Sequence, residues 1–150
     1  MIYIIIIISV IIDRITKMLA VKGLKENSIE IIKGVFKLSY VENTGAAFGI
    51  GSKSTALLTV FSVIILIVVI GALIKYKPSE KTAKISAALV IGGALGNIID
   101  RILQGYVVDF LDFYLINYPV FNFADCCIVI GAILFCVYML FIYDDKKVEK

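Results

Sequence analysis

Five aspartates stand in otherwise apolar sequence: Asp13, Asp100, Asp109, Asp112 and Asp125. Two carboxylates that meet in a partly dry site can carry acid/base chemistry without histidine. At about 4 Å and an effective dielectric near 20, two negative charges repel by about 4 kcal/mol. That is about three pKa units, so near neutrality one group keeps a proton while its partner stays ionised. The ionised group can then take a proton from water and the neutral one can donate to a carbonyl oxygen, the logic of an aspartic peptidase. Asp109 and Asp125 are one such pair; Asp109 and Asp112 are a competing one, and spacing alone does not choose between them.

The composition narrows the chemistry further. The 150 residues contain no histidine, which removes Ser-His catalysis and His-metal sites. They are 61% apolar, against about 45–50% in soluble domains, and the mean hydropathy is +1.00. This excludes a disordered chain, and a small soluble globule has too little interior for so much apolar surface. A net charge of +3, dispersed along the chain, gives no nucleic-acid footprint. Cys126, Cys127 and Cys136 lie in one apolar stretch, are odd in number and read as small hydrophobes.

The elements that must position the carboxylates are membrane helices. Segments 2–21, 54–74, 83–103 and 122–143 reach the roughly 20 apolar residues that a bilayer requires. Pro78 and Pro119 fall between them, as uninterrupted helices demand. The first span has no basic leader and no small-residue cleavage site, so it reads as a retained helix. Lys75, Lys77, Lys81 and Lys84 join spans two and three, and Lys146, Lys147 and Lys150 follow span four. Both basic regions fall on one side, which predicts cytoplasmic termini. Lys22, Lys25, Lys33, Lys37 and Lys53 on the other side are diluted over a long connection with Glu26, Glu30 and Glu42.

The connections 22–53 and 104–121 are longer than helical hairpins need, and long loops tend to be functional. Phe36, Leu38 and Tyr40 alternate with Lys37, Ser39 and Val41, a strand pattern. The second connection is rich in Tyr and Phe, which favour the headgroup level. The expected architecture is an all-α membrane core of four transmembrane helices, with a small β-rich extracytoplasmic lobe from 22–53 and 104–121, in one domain over 1–150.

Each polar group inside a span needs a reason, because a mid-bilayer charge costs about 2.5–3.5 kcal/mol on insertion scales. Asp13 and Lys17 have the favourable i, i+4 order, and Arg14 and Lys17 are long enough to reach outer headgroups. Gly92 and Gly96 form a small-residue face for close helix approach. Asn97, Asp100 and Arg101 share the next face, where three polar groups within five residues point to the border of a polar cavity; the alternative is a polar clamp in which Asp100 and Arg101 bond to neighbouring helices. Asn122 with Asp125 three residues on is a helix start, through capping and the helix dipole. If spans three and four are neighbours, Asp109 and Asp125 both fall at the outer membrane boundary.

The chain resembles the lipoprotein, or type II, signal peptidases. The matching pieces are Asp13-Arg14-Ile15-Thr16-Lys17, Asn43-Thr44-Gly45-Ala46-Ala47-Phe48, the stretch 92–101, Val107-Val108-Asp109-Phe110 and Phe121-Asn122-Phe123-Ala124-Asp125. The resemblance implies an intramembrane aspartic endopeptidase of the bacterial cell membrane that cuts prolipoproteins before a diacylglyceryl-modified cysteine, near the extracytoplasmic face. It makes Asp109 and Asp125 the catalytic dyad, with no metal or organic cofactor. Asn43, Gly45, Asn97, Arg101 and Asn122 line or support the substrate pocket, and Asp13, Lys17 and Asp100 hold the helices and the site together. The expected partners are the lipidated substrate, membrane lipids and globomycin-type inhibitors, with no nucleic acid, and the protein is expected to be a monomer. Two positions depart from the family pattern: Arg14, where Gln is common, and Cys126-Cys127, where small or hydroxyl residues are usual. The alternatives are a small proton-linked transporter subunit, which requires polar steps through the full membrane, and a non-catalytic assembly factor, which would tolerate Asp125→Asn.

Overall fold

A computed structural model describes residues 1–45 and 55–143. Ala46, Ala47 and Phe48 of the asparagine motif lie outside the described residues, as do Lys53, Lys146, Lys147 and Lys150. The chain runs through helix α1 (Ile2–Leu24), strands β1 (Ile29–Ile32) and β2 (Phe36–Asn43), and helices α2 (Thr55–Tyr76) and α3 (Lys81–Gln104). Strand β3 (Val107–Asp112), a 3-10 turn (Tyr114–Ile116) and helix α4 (Phe123–Phe141) complete it. The helices fall on the four apolar segments with small shifts at their ends. By length and composition, α2, α3 and α4 are able to cross a membrane. The expectation of four such helices is thus met by composition in three, because Asp13, Arg14 and Lys17 interrupt the apolar run of α1.

Helix α3 is the centre of the bundle and packs against α1, α2 and α4. Small residues make this possible. A Cβ on Gly92 would stand 2.7 Å from Ser9 Cβ of α1, and one on Gly96 would stand 2.5 Å from Asp13 Oδ2. On the other face, a Cβ on Gly93 would stand 2.3 Å from the Ala124 carbonyl oxygen of α4. The expected small-residue face is therefore real and double-sided, serving two helices. Helix α2 differs: it packs on α3 and buries none of its own residues. A helix that is apolar all round and unburied by protein suits lipid as its solvent.

The strands form one antiparallel sheet in the order β1-β2-β3, so both long connections contribute, as the alternation at Phe36, Leu38 and Tyr40 suggested. Strand β3 is the organising piece. Its residues alternate faces: Val108 and Phe110 pack on Ala20 and Leu24 at the end of α1, while Asp109 faces the opposite way. The segment after the 3-10 turn folds back on β3, where the Phe110 and Leu111 N–H groups donate to the Phe121 carbonyl at 3.0 and 2.8 Å. That return sets the start of α4 beside Asp109. Stacked Phe113 and Phe121, with ring centroids 6.0 Å apart, brace it.

Gly93→Ala is expected to lower stability by about 1–3 kcal/mol, because backbone of α4 blocks the added methyl. Gly71→Ala, with nothing within 4 Å, is expected to be neutral or slightly stabilising. Thermal unfolding of the two purified variants in detergent checks the contrast.

Candidate active site

The site forms where the C-terminal parts of α1 and α3, the start of α4, and strands β2 and β3 converge. Its largest buried side chain is Lys17, only 2% exposed. Its ammonium stands 2.9 Å from Asp13 Oδ2, one turn back on α1, and 2.9 Å from Asp100 Oδ2 on α3. It also donates to Asn97 Oδ1 at 2.9 Å. Asp100 further pairs with Arg14 and lies 3.4 Å from the Val108 N–H. Asp13 Oδ1 accepts the Ala124 N–H of α4 at 3.1 Å. Two carboxylates and two cations thus neutralise one another and join three helices to β3.

This corrects the expectation that Arg14 and Lys17 extend to outer headgroups. Lys17 is held inward, because two buried carboxylates face each other across the α1–α3 contact and need a cation between them. Arg14, about one-third exposed, turns to Asp100. Asp100 thus bonds to a neighbouring helix, as a polar clamp would, and packing decides that Lys17 and Arg14 are its partners.

The ion network passes its orientation to a layer of amides. With Asn97 Oδ1 facing Lys17, Asn97 Nδ2 is free to donate to Asp125 Oδ1 at 2.8 Å. Asn122 is the N-cap of α4: its side-chain oxygen accepts the Asp125 N–H at 3.0 Å, and Asp125 Oδ2 accepts the Asn122 N–H at 3.1 Å. This reciprocal capping box meets the expectation for that stretch. Asn122 Nδ2 then donates to Asp109 Oδ1 at 2.5 Å and to Asn97 Oδ1 at 3.2 Å. On the strand side, Asn43 Nδ2 donates to Asp109 Oδ2 at 2.7 Å, while Asn43 Oδ1 accepts the Gly45 N–H at 3.0 Å. Asn43 and Asp109 lie diagonally across the β2–β3 register, in which Asn43 faces Val107 and Val41 faces Asp109.

Asp109 and Asp125 are therefore brought together through shared amides. Asp112 is not part of this arrangement. Three residues along a strand it points away from Asp109, and its carboxylate accepts from Ser39 Oγ at 3.2 Å and lies 3.5 Å from Lys37 Nζ. Arg101 lies within electrostatic range of Asp125, Asp109 and Asp100. Among the described residues, no group of three His, Cys, Asp or Glu side chains could hold a metal ion. Burial first, and then the negative charge of Asp125, push the Asp109 carboxyl up to about 7. The Asn43 and Asn122 amides oppose this only in part. A carboxylic acid that titrates near neutrality beside a second carboxylate is equipped for proton transfer.

A family model described as signal peptidase (SPase) II matches residues 5–141. The chain belongs to the signal peptidase II family. A lipoprotein signal peptidase of Clostridium acetobutylicum is 44% identical over 144 residues, covering 93% of each chain. One from Halothermothrix orenii is 45% identical over 151 residues, covering 99% of each. A bacterial membrane enzyme solved by the in meso method at 2.3 Å resolution superposes with a TM-score of 0.85 at 34% identity, covering 99% of this chain and 91% of that one. Membership in this peptidase family displaces the transporter and assembly-factor readings. The two departures of this signal peptidase II chain have different surroundings: Arg14 belongs to the ion network, whereas Cys127 is buried against α3 near Gly93.

Lys17→Met leaves two buried carboxylates without their shared cation and is expected to cost about 3–5 kcal/mol, read by thermal unfolding in detergent. Adding Asp13→Asn to Lys17→Met should recover part of the loss. Asp109 gives a pH signature. Its carboxyl titrates higher folded than unfolded, so its stabilising effect is complete below about pH 4 and is lost as pH rises towards about 7. The wild type should therefore lose stability relative to Asp109→Asn across that window and run parallel to it above.

Proposed function

We propose that this chain removes signal peptides from bacterial prolipoproteins by aspartic catalysis, with Asp109 and Asp125 as the dyad. One observation carries the reading: a strand carboxylate and a helix-start carboxylate share the Asn122 and Asn97 amides, and burial, with the charge of Asp125 behind it, pushes Asp109 up to about 7. In this mechanism ionised Asp125 takes a proton from water, and the oxygen attacks the carbonyl carbon of the scissile peptide. Asp109 gives its proton to the carbonyl oxygen. The tetrahedral gem-diol then collapses: the C–N bond breaks, the leaving nitrogen takes a proton from Asp125, and a gem-diol hydroxyl returns its proton to Asp109, which restores both acids. Asn43 and Asn122 hold Asp109 in place, and Gly45 fixes the orientation of Asn43. Asn97 holds Asp125, while Arg101 supplies positive charge beside the pair. Asp13, Lys17 and Asp100 act by positioning.

All four helices span the membrane in this reading, within a single domain over 1–150. Helix α1 crosses because its charges are paired: Asp13 and Lys17 with each other, and Lys17 and Arg14 with Asp100. Pairing lowers the cost that excludes isolated charges from lipid. The lysines between α2 and α3 favour cytoplasmic termini in the bacterial cell membrane and a site at the extracytoplasmic face. A substrate anchored by a diacylglyceryl cysteine would bring its scissile bond to that depth by lateral diffusion. The same pocket would take globomycin-type inhibitors. One copy supplies every residue named, which supports a monomer.

Asp109→Asn and Asp125→Asn, each still folded, should lose cleavage of a diacylated prolipoprotein by at least about a thousandfold, the scale on which proton-transfer groups act. Asp112→Asn should retain most of the activity. Processing by either dyad variant in a reconstituted assay would reject the assignment, and loss at Asp112 alone would return the choice of partner to Asp112. Cleavage of an unlipidated precursor as fast as the lipidated one would reject the substrate class.

A further inference from the structure

At the end of the bundle opposite the dyad, the start of α1, the end of α2 and the first half of α3 line a groove of about 560 Å³. Ile2 and Ile6 form one wall, Ile70 and Ile74 the other, and Lys77 and Lys84 stand among the lining residues, which include no carboxylate among the described residues. Lys77 is also unusual in its backbone. It closes α2 with a positive φ of 41° and its N–H donates to the Leu73 carbonyl, immediately before Pro78. Helix ends of this left-handed kind favour glycine, so a lysine here is held against its backbone preference. An apolar trough carrying two cations is complementary to an amphiphile with an anionic head.

We propose that this groove is a binding site for an anionic phospholipid of the neighbouring leaflet. One acyl chain lies between α1 and α2, and the phosphate sits between Lys77 and Lys84. Charge complementarity selects this occupant, because a zwitterionic lipid would bring its own cation towards two lysines. The leaflet rests on the orientation proposed above; the pairing of lysines with phosphate does not.

The test uses the full chain, purified and delipidated in detergent, titrated with phosphatidylglycerol or with phosphatidylcholine of the same chains, and read by thermal unfolding. Phosphatidylglycerol should raise the unfolding temperature at concentrations where phosphatidylcholine has little effect. The double variant Lys77→Gln/Lys84→Gln should weaken that binding roughly tenfold to thirtyfold, as expected for two lysines at a headgroup. Ile70→Trp, which fills the trough but keeps both charges, should weaken it too. Equal effects of the two lipids, or unchanged phosphatidylglycerol binding by the double variant, would overturn the site. So would displacement of the lipid by a prolipoprotein, or tighter lipid binding after removal of residues 144–150, since each names a different occupant. Asp109→Asn should bind phosphatidylglycerol like the wild type, and the lysine variant should cleave prolipoprotein normally in neutral detergent. Failure of the lipid site is thereby separate from failure of the dyad.

Discussion

The buried Lys17 ammonium is the constraint on which the site depends. It sits between Asp13 and Asp100 at 2.9 Å from each and still donates to Asn97. A cation so deeply enclosed is tolerable only with its counter-charges in place, and they are tolerable only with it. The α1–α3 contact is consequently fixed in register as well as in distance. A slide by one residue would strand at least one charge. The absence of side chains at Gly92 and Gly96 lets the two backbones come close enough for these pairs to form.

Orientation then spreads from charge to amide to carboxylate. An isolated Asn97 could present either end of its amide. Lys17 requires the oxygen, which leaves the nitrogen for Asp125. Asn122 is constrained in the same way, because its oxygen caps α4 and its nitrogen must therefore face Asp109. Asn43 is the third case, with Gly45 N–H taking its oxygen and Asp109 its nitrogen. Three amides, each polarised from behind by a donor, direct their N–H groups at two acids. Such preorganisation limits the rearrangement needed when charge shifts between the acids during a reaction.

The division of labour between secondary structures has a physical basis. The helices carry groups that must be buried and rigid. Asp109 instead comes from a strand, where alternation lets Val108 and Phe110 anchor the backbone in the core while Asp109 faces the site. The sheet is itself pinned to α1 through Ala20 and Leu24. Strand, helix start and ion network form one connected body, although the bonds that join them span up to 111 positions of the chain.

Much of this was legible in the residues themselves. Apolar runs define four helices, three of them long and apolar enough to cross a membrane. The Phe36–Tyr40 alternation reports a strand, and Asn122 with Asp125 reports a helix start, because capping is local. The i, i+4 pairing of Asp13 and Lys17 is legible for the same reason. Local rules do not reach across helices, so they give Lys17 its Asp13 partner but not Asp100, leave Arg14 free to reach for headgroups, and leave Asp112 level with Asp125 as a partner for Asp109. The choice fell to tertiary structure: the return of Phe121 onto β3 sets the start of α4 against Asp109, and strand geometry turns Asp112 towards Lys37. Sequence by itself determined which groups would need partners in a medium without water. Only the packed bundle decided which partners they received, because a buried charge is satisfied by what is near in space.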